Sequence, residues 1–262
     1  YFSSYYKRIN YPIANDSAKG LRNAQIGAIH AIASHFTLFK DEAAIVIMPT
    51  GSGKTAVLIL SAYLLRAKRV LVISSSVMVR GQIVEEFSQL KTLKASSVFH
   101  SDLPLPKVKE IKSPIKSIED WEALKEFDVV VGIPNSINEG INDIFSPEVD
   151  LFDLILVDEA HHVPAFTWSN VVNRFTDASK IFFTATPFRR DKKEIEGRVV
   201  YKYPLTKAYE DKIFGKIGYY PVITDNHDTD LAIALQAEKI FNQDMSDRNL
   251  KTTKSNPLTI RK

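Results

Sequence analysis

Apolar positions fall in two rhythms along the chain. Short β-branched runs recur as AAIVIM (43–48), RVLVIS (69–74), SSVF (96–99), FDVVVG (127–132), LILV (154–157), KIFFTAT (180–186) and RVVYKY (198–203). Between several of them the apolar spacing lengthens to a helical period, at residues 54–67, 77–90 and 164–175. Near-continuous apolar strands separated by helices predict a mostly parallel sheet with helices on both faces. Such a doubly wound α/β fold binds its ligands at the carboxyl ends of the strands.

Three regions depart from this rhythm. Residues 1–40 read as a helical segment, with LRNAQIGAIHAIASHF (21–36) amphipathic at helical spacing. Residues 101–117 hold three prolines and four lysines and read as a loop or insertion. A further helix pattern covers 228–247, succeeded by a polar stretch and a short apolar PLTI at 257–260. The expected organisation is a helical segment over 1–40, a sheet domain over 41–226, and a linker helix with a further short segment over 227–262. No internal repeat is visible.

Composition narrows the classes. The 262 residues suffice for one large α/β domain or two small ones. With no cysteine, thiolate zinc sites and disulfides are excluded, which fits a cytoplasmic protein. The net charge, 34 − 31 = +3, is too small to imply a nucleic-acid partner by itself. No apolar run approaches the roughly 20 residues of a membrane span. The chain starts at Tyr1 without a signal-peptide pattern and reads as an excised or processed piece.

Two stretches carry candidate chemistry. In MPTGSGKT (48–55) a strand runs into a glycine turn and then a helix. Gly51 and Gly53 let backbone N–H groups turn inward around phosphate oxygens, and the helix presents its positive end to the same anion. Lys54 would reach the β/γ-phosphates and the Thr55 hydroxyl would ligate Mg²⁺. The generic pattern has Gly where this chain has Met48. The second stretch is VDEAHH (157–162). Asp158 succeeds an apolar strand and suits completion of the Mg²⁺ site, while Glu159 can face an attacking water as general base. Taken alone, Asp then Glu also fits a helix cap. His161 and His162 lack a zinc-binding spacing and would point in different directions on a strand or helix; His162 fits a surface histidine.

With FTATPFRRD (183–191) added, MPTGSGKT and VDEAHH resemble superfamily 2 helicases and translocases, in particular the DEAD/DEAH-box group that includes restriction-enzyme motor subunits and related repair and defence helicases. The resemblance runs from about Lys19 to about Asn226. It implies a RecA-like P-loop NTPase fold, with ATP and Mg²⁺ as cofactors. Thr50, Gly51, Ser52, Gly53, Lys54 and Thr55 would hold the nucleotide, and Gln25 would read the adenine edge, unless it is an exposed helical glutamine. Lys54, Asp158 and Glu159 would be catalytic, with Mg²⁺ on Thr55 and Asp158. His161, Thr184 and Thr186 would couple the nucleotide to the nucleic-acid face; the threonine pair could equally cap a strand end.

SSSVMVRGQ (74–82) resembles the motif that meets a nucleic-acid phosphate. Ser75, Arg80 and Gln82 are its candidates, the latter two alternatively being solvated helix residues. VGIPNSI (131–137) is a loose match to the next motif, and Arg189 and Arg190 fit either a nucleic-acid contact or surface charge. The partner implied is nucleic acid, DNA ahead of RNA, with further subunits of a restriction, repair or defence complex. Such motors use two RecA-like domains, the second bringing an arginine finger. No such arginine motif occurs here, and NPLTIRK (256–262) could open a truncated second domain. The expectation is an ATP-hydrolysing motor domain, weakly active in isolation. The alternative is a nucleotide-gated nucleic-acid-binding scaffold. The lysines at 107, 109, 112 and 116 fit a solvated insertion or a phosphate contact.

Overall fold

The computed structural model describes residues 1–15, 19–138, 147–162, 170–171, 173–186, 195–214, 220–222 and 229–250. Its contacts divide the chain into two units, Tyr1–Leu205 and Thr206–Lys262.

The first unit is built on seven strands: β1 Ala44–Ile47, β2 Val70–Ile73, β3 Val108–Glu110, β4 Val129–Gly132, β5 Leu154–Val157, β6 Ser179–Thr184 and β7 Arg198–Lys202. They form one sheet in the order β3-β4-β2-β5-β6-β1-β7, and all neighbouring strands pair in parallel. All four residues of β1, β2, β4 and β5 are buried, so both faces of the central sheet are covered. Register places Ile45 beside Phe182, and Leu71 beside Val130 and Ile155. These side chains share one face with Trp121, Phe152 and Phe175. Burial of each such large side chain contributes roughly 1.5–3 kcal/mol.

Among the described residues the named α-helices of this unit are α1 Phe2–Tyr5, α2 Asn23–Leu38, α3 Lys54–Leu64, α4 Val77–Gln89, α5 Lys91–Ala95, α6 Ile118–Ala123 and α7 Pro134–Asn138. The expected helical segment at the N-terminus is realised chiefly as α2, which packs on α3 and β7. Helix α3 is apolar nearly all round, Ala56 to Leu60 and Ala62–Tyr63 being buried, as befits a helix enclosed between neighbours. Helix α4 packs on β3 and β4.

Two local expectations are corrected. Residues 96–99 form no strand; they are a turn after α5 that buries Val98 and Phe99 without sheet pairing. Residues 101–117 are more than a loop, since they contain β3, an edge strand paired to β4. The helix pattern at 164–175 falls mostly outside the described residues, as do Arg189, Arg190 and residues 256–262.

The chain passes from β1 through α3 to β2, crossing over β6 and β5. The strands finish level at their carboxyl ends, where Met48 N–H donates to Thr184 O at 2.9 Å and Asp158 N–H to Ile73 O at 2.9 Å. This edge is where such folds place ligands. The second unit contains α8 from the boundary residue onward, Leu205–Glu210, and α9, Thr229–Leu250. No described helix is long and apolar enough to cross a membrane.

Candidate functional site

Residues 48–55 connect β1 to α3 at this edge. Gly51 and Gly53 have φ of +83° and +90°, the left-handed region that glycine enters without a Cβ penalty. A Cβ on Gly51 would meet open space, whereas one on Gly53 would fall on the Gln25 amide. The loop is braced from within: Ser52 Oγ donates to Pro49 O at 2.6 Å, and Ser52 is fully buried. Thr50, Gly51, Gly53, Lys54 and Thr55 line a cavity of about 490 Å³ that also reaches Asp158 and Glu159. That size falls within the usual range for small-molecule sites.

The carboxylates leave β5 in a tight turn. Asp158 is buried, and its Oδ1 accepts from the Glu159 N–H at 3.1 Å. Burial, reinforced by the charge of Glu159, lifts the Asp158 carboxyl from 3.8 to about 6 against the opposing pull of Lys54. Glu159 has φ +50°, a conformation that costs a non-glycine residue energy and clusters at functional sites. Its Oε1 is paired with the Lys54 ammonium. Its Oε2 is buried without a hydrogen-bond partner among the described residues. His161 Nδ1 lies 3.5 Å from that oxygen, beyond hydrogen-bonding reach, and makes its short contact elsewhere.

That contact is with Thr184 Oγ1 at 2.9 Å. The Thr184 hydroxyl donates to Thr186 O at 2.5 Å and accepts from Thr186 N–H at 3.1 Å. Its single proton is thus spent, so His161 Nδ1 must be the donor, which sets the proton on Nδ1. His161, Thr184 and Thr186 therefore form one connected chain from the carboxylate turn to the end of β6. The side chain of His162 lies outside the described residues.

Gln25 is 8% exposed on the first turn of α2. Its Oε1 accepts from Arg22 N–H at 2.8 Å and its Nε2 donates to Gly53 O at 3.3 Å. It is no exposed helical glutamine; it is a buried brace on the phosphate loop. Arg22 is an addition to the expected site: its guanidinium donates to Gly51 O at 2.7 Å, and it lines the same cavity. Its place one turn before Gln25 in LRNAQ is the signal that the sequence offers for it.

The nucleic-acid candidates are not brought together. Ser75 stands half-buried at the end of β2, and Ser76 caps α4 by accepting Val79 N–H at 3.3 Å. Arg80 is 5% exposed; it donates to Glu110 Oε1 and to Ile111 O, each at 2.9 Å. Neither a solvated residue nor an open phosphate contact describes it, because β3 has absorbed its charge. Gln82 is exposed but lines the cavity that holds the phosphate loop. Lys109 lies 5.5 Å over the Phe127 ring, and Lys112 lies 3.5 Å from Glu110.

ATP and Mg²⁺ fit these residues. A glycine cradle opening onto free space, a cation at its base and a buried carboxylate oxygen without a partner are complementary to a phosphate and a water. Among the described residues no three His, Asp or Glu side chains gather as a metal site. Thr55 and Asp158 offer a hard-oxygen pair that a nucleotide's phosphates would complete, as Mg²⁺ requires.

The family model described as "Type III restriction enzyme, res subunit" matches residues 18–189. The chain belongs to that family. With its sheet topology and phosphate loop, this member is a first RecA-like motor domain of the superfamily 2 helicases. A viral protein designated helicase 22, from Sulfolobus islandicus filamentous virus (isolate Iceland/Hveragerdi), is 26% identical over 217 residues, covering 78% of this chain and 36% of that protein. Among solved structures, a nuclease-deletion mutant of the Type ISP restriction-modification enzyme LlaGI, in complex with a DNA substrate mimic, shares the fold. It has a TM-score of 0.50 and 18% identity over 74% of this chain and 21% of that one. A fragment of an HsdR subunit of a type I restriction enzyme from Vibrio vulnificus YJ016 has a TM-score of 0.47 and 22% identity, over 72% of this chain and 31% of that one. The chain thus spans about a third, or less, of the length of these proteins.

Proposed function

We propose that this family member binds Mg²⁺·ATP and hydrolyses it to drive movement on nucleic acid, DNA rather than RNA. The observation that carries the reading is the Lys54–Glu159 pair at the base of the glycine cradle, with Asp158 and Thr55 beside it. The DNA preference is supported by the family's restriction-enzyme description and by the DNA mimic held by LlaGI.

Each residue then has a task. The inward N–H groups of residues 50–55 and the start of α3 hold the β- and γ-phosphates. Lys54 leaves Glu159 for the phosphate oxygens. Glu159, released, orients a water and takes its proton as general base. Thr55 and Asp158 would hold the metal, which would neutralise charge building on the phosphates. His161 reports the change at Glu159 through Thr184 to Thr186. Gln25 contributes its amide to the adenine edge while bracing Gly53.

The motif Asp158-Glu159-Ala160-His161 supports a DEAH-type reading. Residues 41–226 form the motor domain, preceded by the helical segment 1–40 and succeeded by a linker over 227–262. In the whole protein a second RecA-like domain would bring an arginine to the γ-phosphate, an addition worth about 10³–10⁵ in rate in related NTPases. Additional subunits of a restriction, repair or defence assembly fit the same reading, as does a cytoplasmic location. A scaffold that never hydrolyses ATP has no use for a general base beside the cradle.

The test is steady-state ATP hydrolysis with single- and double-stranded DNA and RNA, for the wild type and Glu159→Gln. The variant is expected to bind ATP and to lose turnover by about 10²–10⁴. Stimulation by DNA above RNA is expected wherever turnover is measurable. Unchanged turnover in Glu159→Gln contradicts the assignment.

A further inference from the structure

The phosphate-loop cavity continues into a second space of about 800 Å³ that shares Arg22, Gln25, Gly53 and Thr55 with it. This extension runs along α3 past Ala56 and Ile59 and ends on α4 and α5. Among the described residues this space offers a nucleotide whose phosphates sit on the loop room for its sugar and base.

The near wall is Arg22 and Gln25. The far wall is α4, and its polar groups divide by commitment. Glu86 is occupied, its Oε1 taking the Thr92 hydroxyl at 2.7 Å and its Oε2 the Thr92 N–H at 3.4 Å. The side chains of Gln82 and Glu85 make no hydrogen bond or ion pair among the described residues, yet both line the cleft. Three residues apart, they share one side of the helix.

A free carboxylate at this end of the cleft selects for chemistry. Lys19 and Lys91 line the same space, but the carboxylate itself accepts only from donors. The donors of ATP are the adenine amino group, which Gln25 accounts for, and the ribose hydroxyls. We propose that Glu85 accepts from the ribose 2′-hydroxyl and that Gln82, which lines both spaces, donates to a sugar oxygen. This role rests on the nucleotide reading above and adds to it that α4 selects ribonucleotides over 2′-deoxyribonucleotides. A carboxylate on a ribose hydroxyl is a recurrent solution in nucleotide sites.

The wall is held in place from behind. Arg80 lies about 200° around the helix from Gln82. It is anchored to Glu110 and Ile111 O, so the face carrying Gln82 and Glu85 is fixed against the cleft.

Isothermal titration with Mg²⁺·ATP and Mg²⁺·2′-deoxyATP tests this, using wild type, Glu85→Ala and Glu85→Gln. Wild type should favour ATP by about tenfold, the effect of one hydrogen bond to a charged group. Glu85→Ala should lose about that factor for ATP and none for 2′-deoxyATP, whose unchanged binding also reports an intact fold. Glu85→Gln should fall between. Equal binding of the two nucleotides by wild type, or equal weakening of both in Glu85→Ala, overturns the sugar-reading role and leaves the nucleotide site standing. Failure of wild type to bind either nucleotide overturns both.

Discussion

The two ends of adjacent helices make an instructive pair. At the start of α3 the function is written in backbone: two positive-φ glycines, a buried serine brace and a helix N-terminus. At α4 the candidate function is written in side-chain direction, and direction depends on what packs behind the helix. Arg80 and Gln82 are neighbours in sequence, yet one is buried against β3 and the other opens on the nucleotide cleft. Local patterns report backbone demands well and side-chain destinations poorly.

The contrast has graded consequences. Lys54→Ala should have the largest effect, lowering ATP turnover by at least about 100-fold, the scale of one lost charge-stabilising donor. An ATPase assay at saturating DNA reads it; retention of more than about a tenth of the rate would remove Lys54 from the phosphates.

Arg80→Met should act on stability instead. It leaves the Ile111 carbonyl without its donor and Glu110 with only the exposed Lys112 nearby, at a cost of about 1–3 kcal/mol in denaturant unfolding. The salt slope of nucleic-acid binding should stay the same. A slope reduced by about one would mean that Arg80 meets a phosphate after all.

Gly53→Ala should cost about 1–2 kcal/mol of backbone strain and displace Gln25, lowering both the melting temperature and ATP affinity. A silent substitution would show that the loop rearranges freely.

The pH dependence stems from Asp158. Its folded carboxyl titrates near 6, above its ordinary 3.8, so the folded state keeps a proton that the unfolded chain releases between those values. The contribution to nucleotide-free stability is therefore full below 3.8 and is lost as pH rises through about 6. Mg²⁺ needs the carboxylate, so its apparent affinity should weaken roughly tenfold per unit below pH 6. A flat Mg²⁺ titration between about pH 5 and 7 would contradict the pairing of a raised Asp158 carboxyl with a place on the metal. The smallest effect expected is Ser75→Ala, which removes at most one hydrogen bond from a half-exposed hydroxyl to a phosphate, about 1 kcal/mol in a DNA-binding titration.

The central strands are readable from sequence because four buried positions in a row leave no other efficient arrangement. Strand β3 is not, since Val108-Lys109-Glu110 is a half-exposed edge with one apolar residue. Conversely, Val98 and Phe99 look like strand residues but satisfy their burial in a turn. The phosphate loop and acid pair are visible because glycine spacing and strand-end carboxylates are sequence-local. Arg80 is opaque because its partner Glu110 lies thirty residues away, inside a segment that reads as an insertion. Gln82 is opaque for a related reason: the cleft it faces is made by Arg22 and Gln25, elements distant in sequence.

The most direct measurement is the fate of ATP on Glu159→Gln in the presence of Mg²⁺ and DNA. If Glu159 is the base that Lys54 holds between turnovers, the variant retains intact ATP, recovered unhydrolysed with the protein, while the wild type releases ADP and phosphate. Release of phosphate by the variant at the wild-type rate contradicts the assignment.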